Sequence, residues 1–293
     1  MDAFVQILVV GVLLGGIYGL VSMGLNLIFG VIRVVNFAQG ELVMLGMYGA
    51  YITNRFLGWN PYLTLVLVVP ALFLIGLIIQ RVVIQPLSSQ PTMQLLATFG
   101  LVLLFQNVVL AATNGTAYTL RDSFASATFG LGPVRIDNGR LIILITTTLV
   151  AVGLRQLLQD TTLGRSIRAV TEDRKAARLM GINVERTFLI TFGLGSALAG
   201  LAGVLLAPVY SITPAVGQNF IYAAFAVVVV GGLGSVTGAY IGGFLIGLVD
   251  AFTSYYLSPT LGTAFYFAVF IIVLVVRPAG MFGRAGSENI GLA

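Results

Sequence analysis

Side chains able to do chemistry are scarce in this chain and fall in two clusters. The first lies in residues 161–186, TTLGRSIRAVTEDRKAARLMGINVER, the one dense polar island in an apolar sequence. Arg165, Arg168, Arg174, Lys175, Arg178 and Arg186 lie on it, with Arg155 at its near edge. Asp160, Glu172, Asp173 and Glu185 accompany them. The second, residues 24–41, sets Asn26, Arg33, Asn36, Gln39 and Glu41 among aliphatic residues and glycines. Cys and His are both absent, which removes disulfides, thiolate metal sites and the usual proton shuttle. No group of carboxylates stands ready for acid–base or metal chemistry, so an enzyme is the poorest reading. What remains is charge pairing and hydrogen bonding, the chemistry of docking a partner or of passing a polar cargo.

The surroundings decide which elements must position these residues. The chain has 293 residues, 58% hydrophobic and 9% charged, with a mean hydropathy of +1.02. Soluble domains are about 25% charged, so most of this chain belongs in lipid. No polar stretch is long enough to build a core of its own. The expected fold is an all-α polytopic membrane protein of eight or nine transmembrane helices with broken or re-entrant segments, forming a single transmembrane domain over residues 1–293. The net charge of +5 fits cytoplasmic loops, and nucleic acid is not expected as a partner.

In order, residues 4–23 read as a retained first span. Gly11, Gly15 and Gly19 are spaced for close helix packing, expected within this chain rather than at a dimer seam. Residues 24–40 carry polar groups at membrane depth, which must be satisfied or line a cavity. Two readings stand open: a broken or re-entrant helix facing a substrate path, or a cytoplasmic connector anchored by Arg33. Glu41 opens a span at 41–56, where the helix dipole favours a carboxylate. Spans at 62–84 and 92–112 follow, the latter with Gln106 and Asn107 inside as interhelical hydrogen-bonding residues. Residues 113–139 read as an external loop with room for a short strand pair; its charges are Arg121, Asp122, Arg135 and Asp137. A span at 140–158 leads into the island.

Residues 187–249 hold no charge. A span at 187–207 ends at Pro208, and a turn follows at 210–218. Residues 219–249 exceed one upright span of about 20 residues. Their GGLGSVTG core, with Gly232 and Gly234, is expected to break them into halves at 220–230 and 239–249. A last span runs 262–276, followed by Arg277 and Arg284. The positive-inside rule places the island in the cytoplasm, as a loop over 159–186. Counting from it places the N-terminus outside.

Within the island, Thr171 reads as an N-cap, followed by Glu172 and Asp173 in a first turn. Gly181 sits where a left-handed stop is expected. A short helix over 172–180 would carry Lys175 and a small apolar patch of Ala176, Ala177, Leu179 and Met180. Such a patch suits insertion into a partner's groove. The bland alternative is a surface helix whose arginines rest on lipid phosphates.

Three stretches together resemble a known family. Lys175-Ala176-Ala177 followed by Gly181 resembles the EAA-xxx-G loop of ABC importer permeases, with Lys in the Glu position. TTLGRSIRAVTEDRKAARLMGI resembles the coupling region of branched-chain amino acid permeases. GLNLIFGVIRVVNFAQGELVMLGMYGAY is similar to that family's N-terminal motif, and VVVVGGLGSVTGAYIGGFLIGLVDA with VRPAGMFGR to its C-terminal one. In register, they resemble the shorter of the two permease subunits. The family commonly has His where Gln39 stands, and an amide cannot titrate, so that position would act by hydrogen bonding. The resemblance implies a subunit of an ATP-driven importer in a bacterial inner membrane, paired with a second, related permease. It implies two ATP-binding subunits gripping the coupling element formed by Thr171, Glu172, Lys175, Ala176, Ala177, Leu179, Met180 and Gly181. An extracytoplasmic substrate-binding protein would deliver leucine, isoleucine or valine. No cofactor or metal is implied, and the chain has no Walker A pattern. Expected path residues are Asn26, Asn36, Gln39 and Glu41 with Gly232 and Gly234 of the break.

Three rivals remain at this stage. An importer for urea or amides is one. An ion-coupled secondary transporter would need intramembrane acids, and only Glu41 and Asp250 offer themselves. A channel would have no use for a charged docking loop.

Overall fold

The structure, a computed structural model, describes residues 2–120, 125, 127–131 and 134–283. Arg121, Asp122 and Arg284 lie outside the described residues.

Among the described residues the chain is a helical bundle with one short hairpin. Its first helix, α1 (Asp2–Ile32), is 31 residues long, about 45 Å at 1.5 Å per residue. The expected stop at residue 23 is therefore corrected: 24–32 continue the first helix. Gly24 and Gly30 allow this by sitting against Gly195 and Gly234, where a Cβ would collide. The helix ends at Arg33, whose φ of 62° is left-handed and whose N–H still bonds to Phe29 O at 2.9 Å. Only the short stretch 33–38 is non-helical.

Next come α2 (Gln39–Leu57), a 3₁₀ turn at Pro61–Thr64, and α3 (Leu65–Ile79). A π turn at Gln80–Ile84 and a 3₁₀ turn at Gln85–Leu87 extend α3. Helix α4 spans Pro91–Thr113. The hairpin strands β1 (Thr128–Leu131) and β2 (Val134–Asp137) pair antiparallel, Thr128 opposite Asp137. Then follow α5 (Asn138–Asp160), α6 (Thr162–Glu172) and α7 (Arg174–Leu179). The last four are α8 (Val184–Leu206), α9 (Val216–Gly231), α10 (Val236–Tyr256) and α11 (Pro259–Val276).

Small residues set the packing. Gly11, Gly15 and Gly19 of α1 meet α10 at Leu248, Gly243, Phe244 and Tyr240, so the glycine seam is spent inside the chain. On α8, Gly193 and Gly200 receive Phe73, Leu77 and Leu72 of α3, and Gly203 lies on Val43 and Gly46 of α2. In lipid, close backbone approach supplies the van der Waals contact that hydrophobic exclusion cannot. Helix α8 is accordingly the most enclosed candidate span, 67% buried in its most apolar window against 17% for α4 and α5.

Among the described residues, six helical stretches are long and apolar enough to cross a bilayer: Ala3–Ile32, Pro61–Leu87, Pro91–Thr113, Asn138–Asp160, Val184–Leu206 and Val236–Tyr256. Val216–Gly231 and Leu261–Val276 are apolar but shorter. Length and composition thus establish six spans and leave the expected eight or nine unestablished. The GGLGSVTG segment does break the stretch 219–249, at 232–235, but the second half is longer than expected: a tight turn joins α9 to a full-length α10, with Gly232 and Gly234 at φ 107° and 82°. The tail folds back on it: Met281 and Phe282 donate their N–H groups to Val230 O and Gly231 O.

Candidate functional site

The polar residues singled out from sequence separate into three places. The first is a buried seam. The connector 33–38 brings the chain back from the end of α1, and Gln39 Nε2 donates to Gly195 O at 3.0 Å. Gly195 is the middle residue of α8, so α2 begins about halfway along the bundle. Helix α9 begins at the same level, because Gly40 and Gly217 touch: a Cβ on either would strike the other's carbonyl oxygen. Neither helix start has a side-chain cap; the preceding residues are Ala38 and Ala215. Two positive helix ends therefore meet in the interior. Non-helical backbone at such depth is tolerated when protein encloses it or when it lines a path.

Asn36, Gln39 and Glu41 cluster at this seam, all at most 1% exposed. Asn36 Nδ2 donates to Gln39 Oε1 at 3.3 Å, and Gln106 Nε2 of α4 donates to Glu41 Oε1 at 3.3 Å. Asn36 Oδ1 and Glu41 Oε2 are buried with no donor facing them. Buried acceptors are normally satisfied, so two orphans at one seam mark a place suited to a cargo that carries N–H groups. Asp250 is different. Tyr18 Oη donates to its Oδ2 at 2.7 Å and Ser254 Oγ to its Oδ1 at 3.2 Å, so both oxygens are engaged by its own chain.

The second place is the turn between α9 and α10. Asn26 braces it, donating to Gly232 O at 3.2 Å and Ser235 O at 2.8 Å and accepting from Gly234 N. With its amide fully used this way, Asn26 stands apart from Asn36, Gln39 and Glu41. Gly232 and Gly234 lie with it, toward the same bundle end as Ile32, not at the seam.

The third place is the island. Arg174 Nη2 donates to Ile32 O at 2.9 Å, which puts the island at the end of α1 opposite Asp2. The expected single helix 172–180 is corrected. Thr171 is not a cap: it lies within α6, its Oγ1 donating back to Ile167 O at 2.8 Å, and Glu172 is the last residue of α6. The break falls at Asp173, whose Oδ1 accepts from Lys175 N at 2.7 Å and Ala176 N at 3.0 Å. Those two N–H groups, that of Ala176 foremost, hold the Asp173 carboxyl below the usual carboxylate range. An acid two residues further on outcompeted the threonine because an ionised carboxylate accepts two N–H bonds at once.

Helix α7 ends as expected. Ile182 N bonds to Ala177 O and Gly181 N to Arg178 O, both at 3.0 Å, with Gly181 at φ 81°. This is a Schellman stop. The apolar patch divides in two. Ala177 is 3% exposed and packs on Val170 and Val184, so it holds α7 to α6 and α8. Leu179 and Met180 are 89% and 82% exposed, and Lys175 and Ala176 are exposed with them. The sequence pattern merged anchor and free face because α7 is barely longer than one turn.

Sequence reasoning missed the pairing of the α2 and α9 starts. The available signal was the glycine one residue into each helix, Gly40 and Gly217.

Residues 7–274 match the family described as "Branched-chain amino acid transport system / permease component". The chain is 34% identical to the high-affinity branched-chain amino acid transport system permease protein LivH of Salmonella typhimurium, over 98% of each chain. It is 32% identical to BraD of Pseudomonas aeruginosa, described in the same words, again over 98% of each chain. A probable branched-chain amino acid transport permease protein LivH of Methanocaldococcus jannaschii is 32% identical over 90% of this chain and 88% of its own. No solved structure matches. The apolar helices and these relatives make this a multi-pass membrane protein concerned with transport rather than catalysis. The chain belongs to the branched-chain amino acid transport system permease family.

Proposed function

We propose that the chain is the translocating permease subunit of an ATP-binding-cassette importer for leucine, isoleucine, valine or related amino acids in a bacterial inner membrane. The observation that carries this is the match to branched-chain amino acid permeases along nearly its whole length. In this reading a related permease pairs with it, and two ATP-binding subunits grip the island. An extracytoplasmic binding protein delivers the cargo. With the six candidate spans, the short helices α9 and α11 make eight membrane segments and α2 a ninth.

The split between exposed and buried residues in the island supports a division of labour. Lys175, Ala176, Leu179 and Met180 form the face the ATPase contacts. Thr171, Glu172, Ala177 and Gly181 position that face. ATPase closure biases the chain toward one access state by binding that state better, and the pull passes along α6 to α8. At the seam, Asn36, Gln39 and Glu41 offer acceptors to the cargo's ammonium group, and the two helix starts favour its carboxylate. Asn26, Gly232 and Gly234 keep the α9–α10 turn in register with α1.

The test is co-purification followed by uptake. The tagged chain, gently extracted, should carry a Walker-A ATPase and a second permease. The reconstituted assembly with its binding protein should import labelled leucine only with ATP. A chain that purifies alone and imports leucine on an ion gradient would overturn this in favour of a secondary transporter.

A further inference from the structure

A cavity of about 740 Å³ lies beside the island, outside the seam. The end of α1, the π turn after α3, the start of α4, helix α7 and the start of α8 enclose it. Four cations line it: Arg33, Arg174, Lys175 and Arg178. Glu185 is the one acid in the lining, and Gln85 Nε2 donates to it at 3.2 Å. Glu185 makes no salt bridge with any of these four cations.

Several features hold these charges together at a cost. Arg33 takes a left-handed φ of 62°, unfavourable for a residue with a Cβ by about 1–2 kcal/mol. Arg174 is fixed by Ile32 O at 2.9 Å and by the Phe188 ring, whose centroid is 4.8 Å from Cζ. Loss of water, then the neighbouring Arg33 and Arg178 charges, push its guanidinium below its usual range. Gln80, 2% exposed, leaves its Oε1 without a donor on the same wall. Like charges gathered so closely call for an anion.

The position says which anion. The cavity lies where the apolar spans give way to the island. The elements on its two sides present exposed apolar residues, Ile78 and Val82 before the turn, Met93 and Leu96 after it. A ligand with an anionic head and apolar tails satisfies both.

We infer that this cavity is a binding site for an anionic phospholipid of the inner leaflet, its phosphodiester held by Arg33, Arg174 and Arg178 and its acyl chains along α3 and α4. Basic pockets between spans on the cytoplasmic side are suited to such headgroups. Arg174 and Arg178 belong to α7, so the headgroup would clamp the island to the ends of α1 and α4. The site stands whether or not an ATPase grips the island.

The experiment uses the full chain in nanodiscs of phosphatidylcholine with or without phosphatidylglycerol. Thermal unfolding of the wild type should rise with phosphatidylglycerol, and native mass spectrometry should find it retained. Arg33→Asn with Arg178→Gln should reduce retention roughly fivefold for each charge removed, Asn being chosen because it accepts the left-handed backbone. Arg155→Gln with Arg165→Gln, which lowers net charge equally, should leave retention unchanged. Equal loss in both pairs would mean diffuse surface attraction and overturn the site. Protection by inorganic phosphate in pure phosphatidylcholine would assign the cavity to a free phosphate instead. Loss of ATPase with undiminished lipid in the Arg33/Arg178 variant would assign it to an acidic protein surface. No difference in wild-type unfolding between the two nanodiscs would overturn the proposal without any variant.

Discussion

Helices in this chain begin in two contrasting ways. At the island, α7 starts on Asp173 and α8 on Asn183, and each side chain accepts backbone N–H groups. At the seam, α2 and α9 start behind Ala38 and Ala215, with no side-chain acceptor at either. A capped start is closed by its own chain and needs nothing from outside. An uncapped start buried beside Glu41 keeps a positive helix end and an unsatisfied carboxylate oxygen within the same interior. The helix starts of the island are closed by its own side chains, whereas the seam keeps acceptors and helix ends without partners from this chain.

The sharpest way to break this contrast is to force the seam apart. Gly40→Val places a side chain against Gly217 O. Overpacking of that kind costs about 3 kcal/mol, so the protein should lose thermal stability in detergent and transport together. Unchanged stability would mean that the two starts do not touch.

Ala177→Asp should come next, with a loss of about 2–3 kcal/mol from a polar group among Val170 and Val184. It unseats α7, so faster proteolysis of residues 173–183 should accompany any lost ATPase. Leu179→Ser with Met180→Ser should instead leave stability within about 0.5 kcal/mol and cut ATPase retention about tenfold. If both variants behave alike, the separation of anchor from free face is wrong.

Glu41→Gln keeps the size and the Gln106 contact but removes the charge. Uptake should fall about tenfold, equivalent to about 1.4 kcal/mol, with thermal stability unchanged. Full uptake would remove Glu41 from the path.

The smallest effect is expected at Asp173. Its carboxyl lies below the ordinary carboxylate range in the folded chain, so its cap is complete at neutral pH and is lost as pH falls through that lowered value. Amide exchange at Lys175 and Ala176, corrected for intrinsic rates, should quicken at acid pH in the wild type. In Asp173→Asn the change with pH should vanish.

The sequence made some of this plain. Gly181 was readable as a left-handed stop because a glycine after a basic last turn has few other uses. The α1 glycine seam was readable from its spacing, and Gln106 as an interhelical donor from its setting; Asn107 instead donates to Leu103 O within its own helix. Other features were hidden. Over residues 24–40 a broken helix and a connector read equally well from the polar side chains, because the partners of Asn26 lie some 200 residues away in the α9–α10 turn. Thr171 and Asp173 are both good caps by type, and only the fold of α6 against Val184 decides between them. That Gly40 meets Gly217 is a fact about two distant segments: each glycine is visible at its own helix start, but their pairing is not.

Helix α4 has one more consequence. It is 17% buried, tied to the rest of the chain by Gln94 to Ile84 O, Thr98 to Val35 O, Gln106 to Glu41 and the Phe37–Phe99 stack. A span so lightly held takes its tilt from the bilayer more than from its neighbours. Because two of those ties end on 33–38 and a third on Glu41, a change in membrane thickness would be felt first at the seam. The proposed path would then answer to the lipid in which it sits as well as to the partners proposed to drive it.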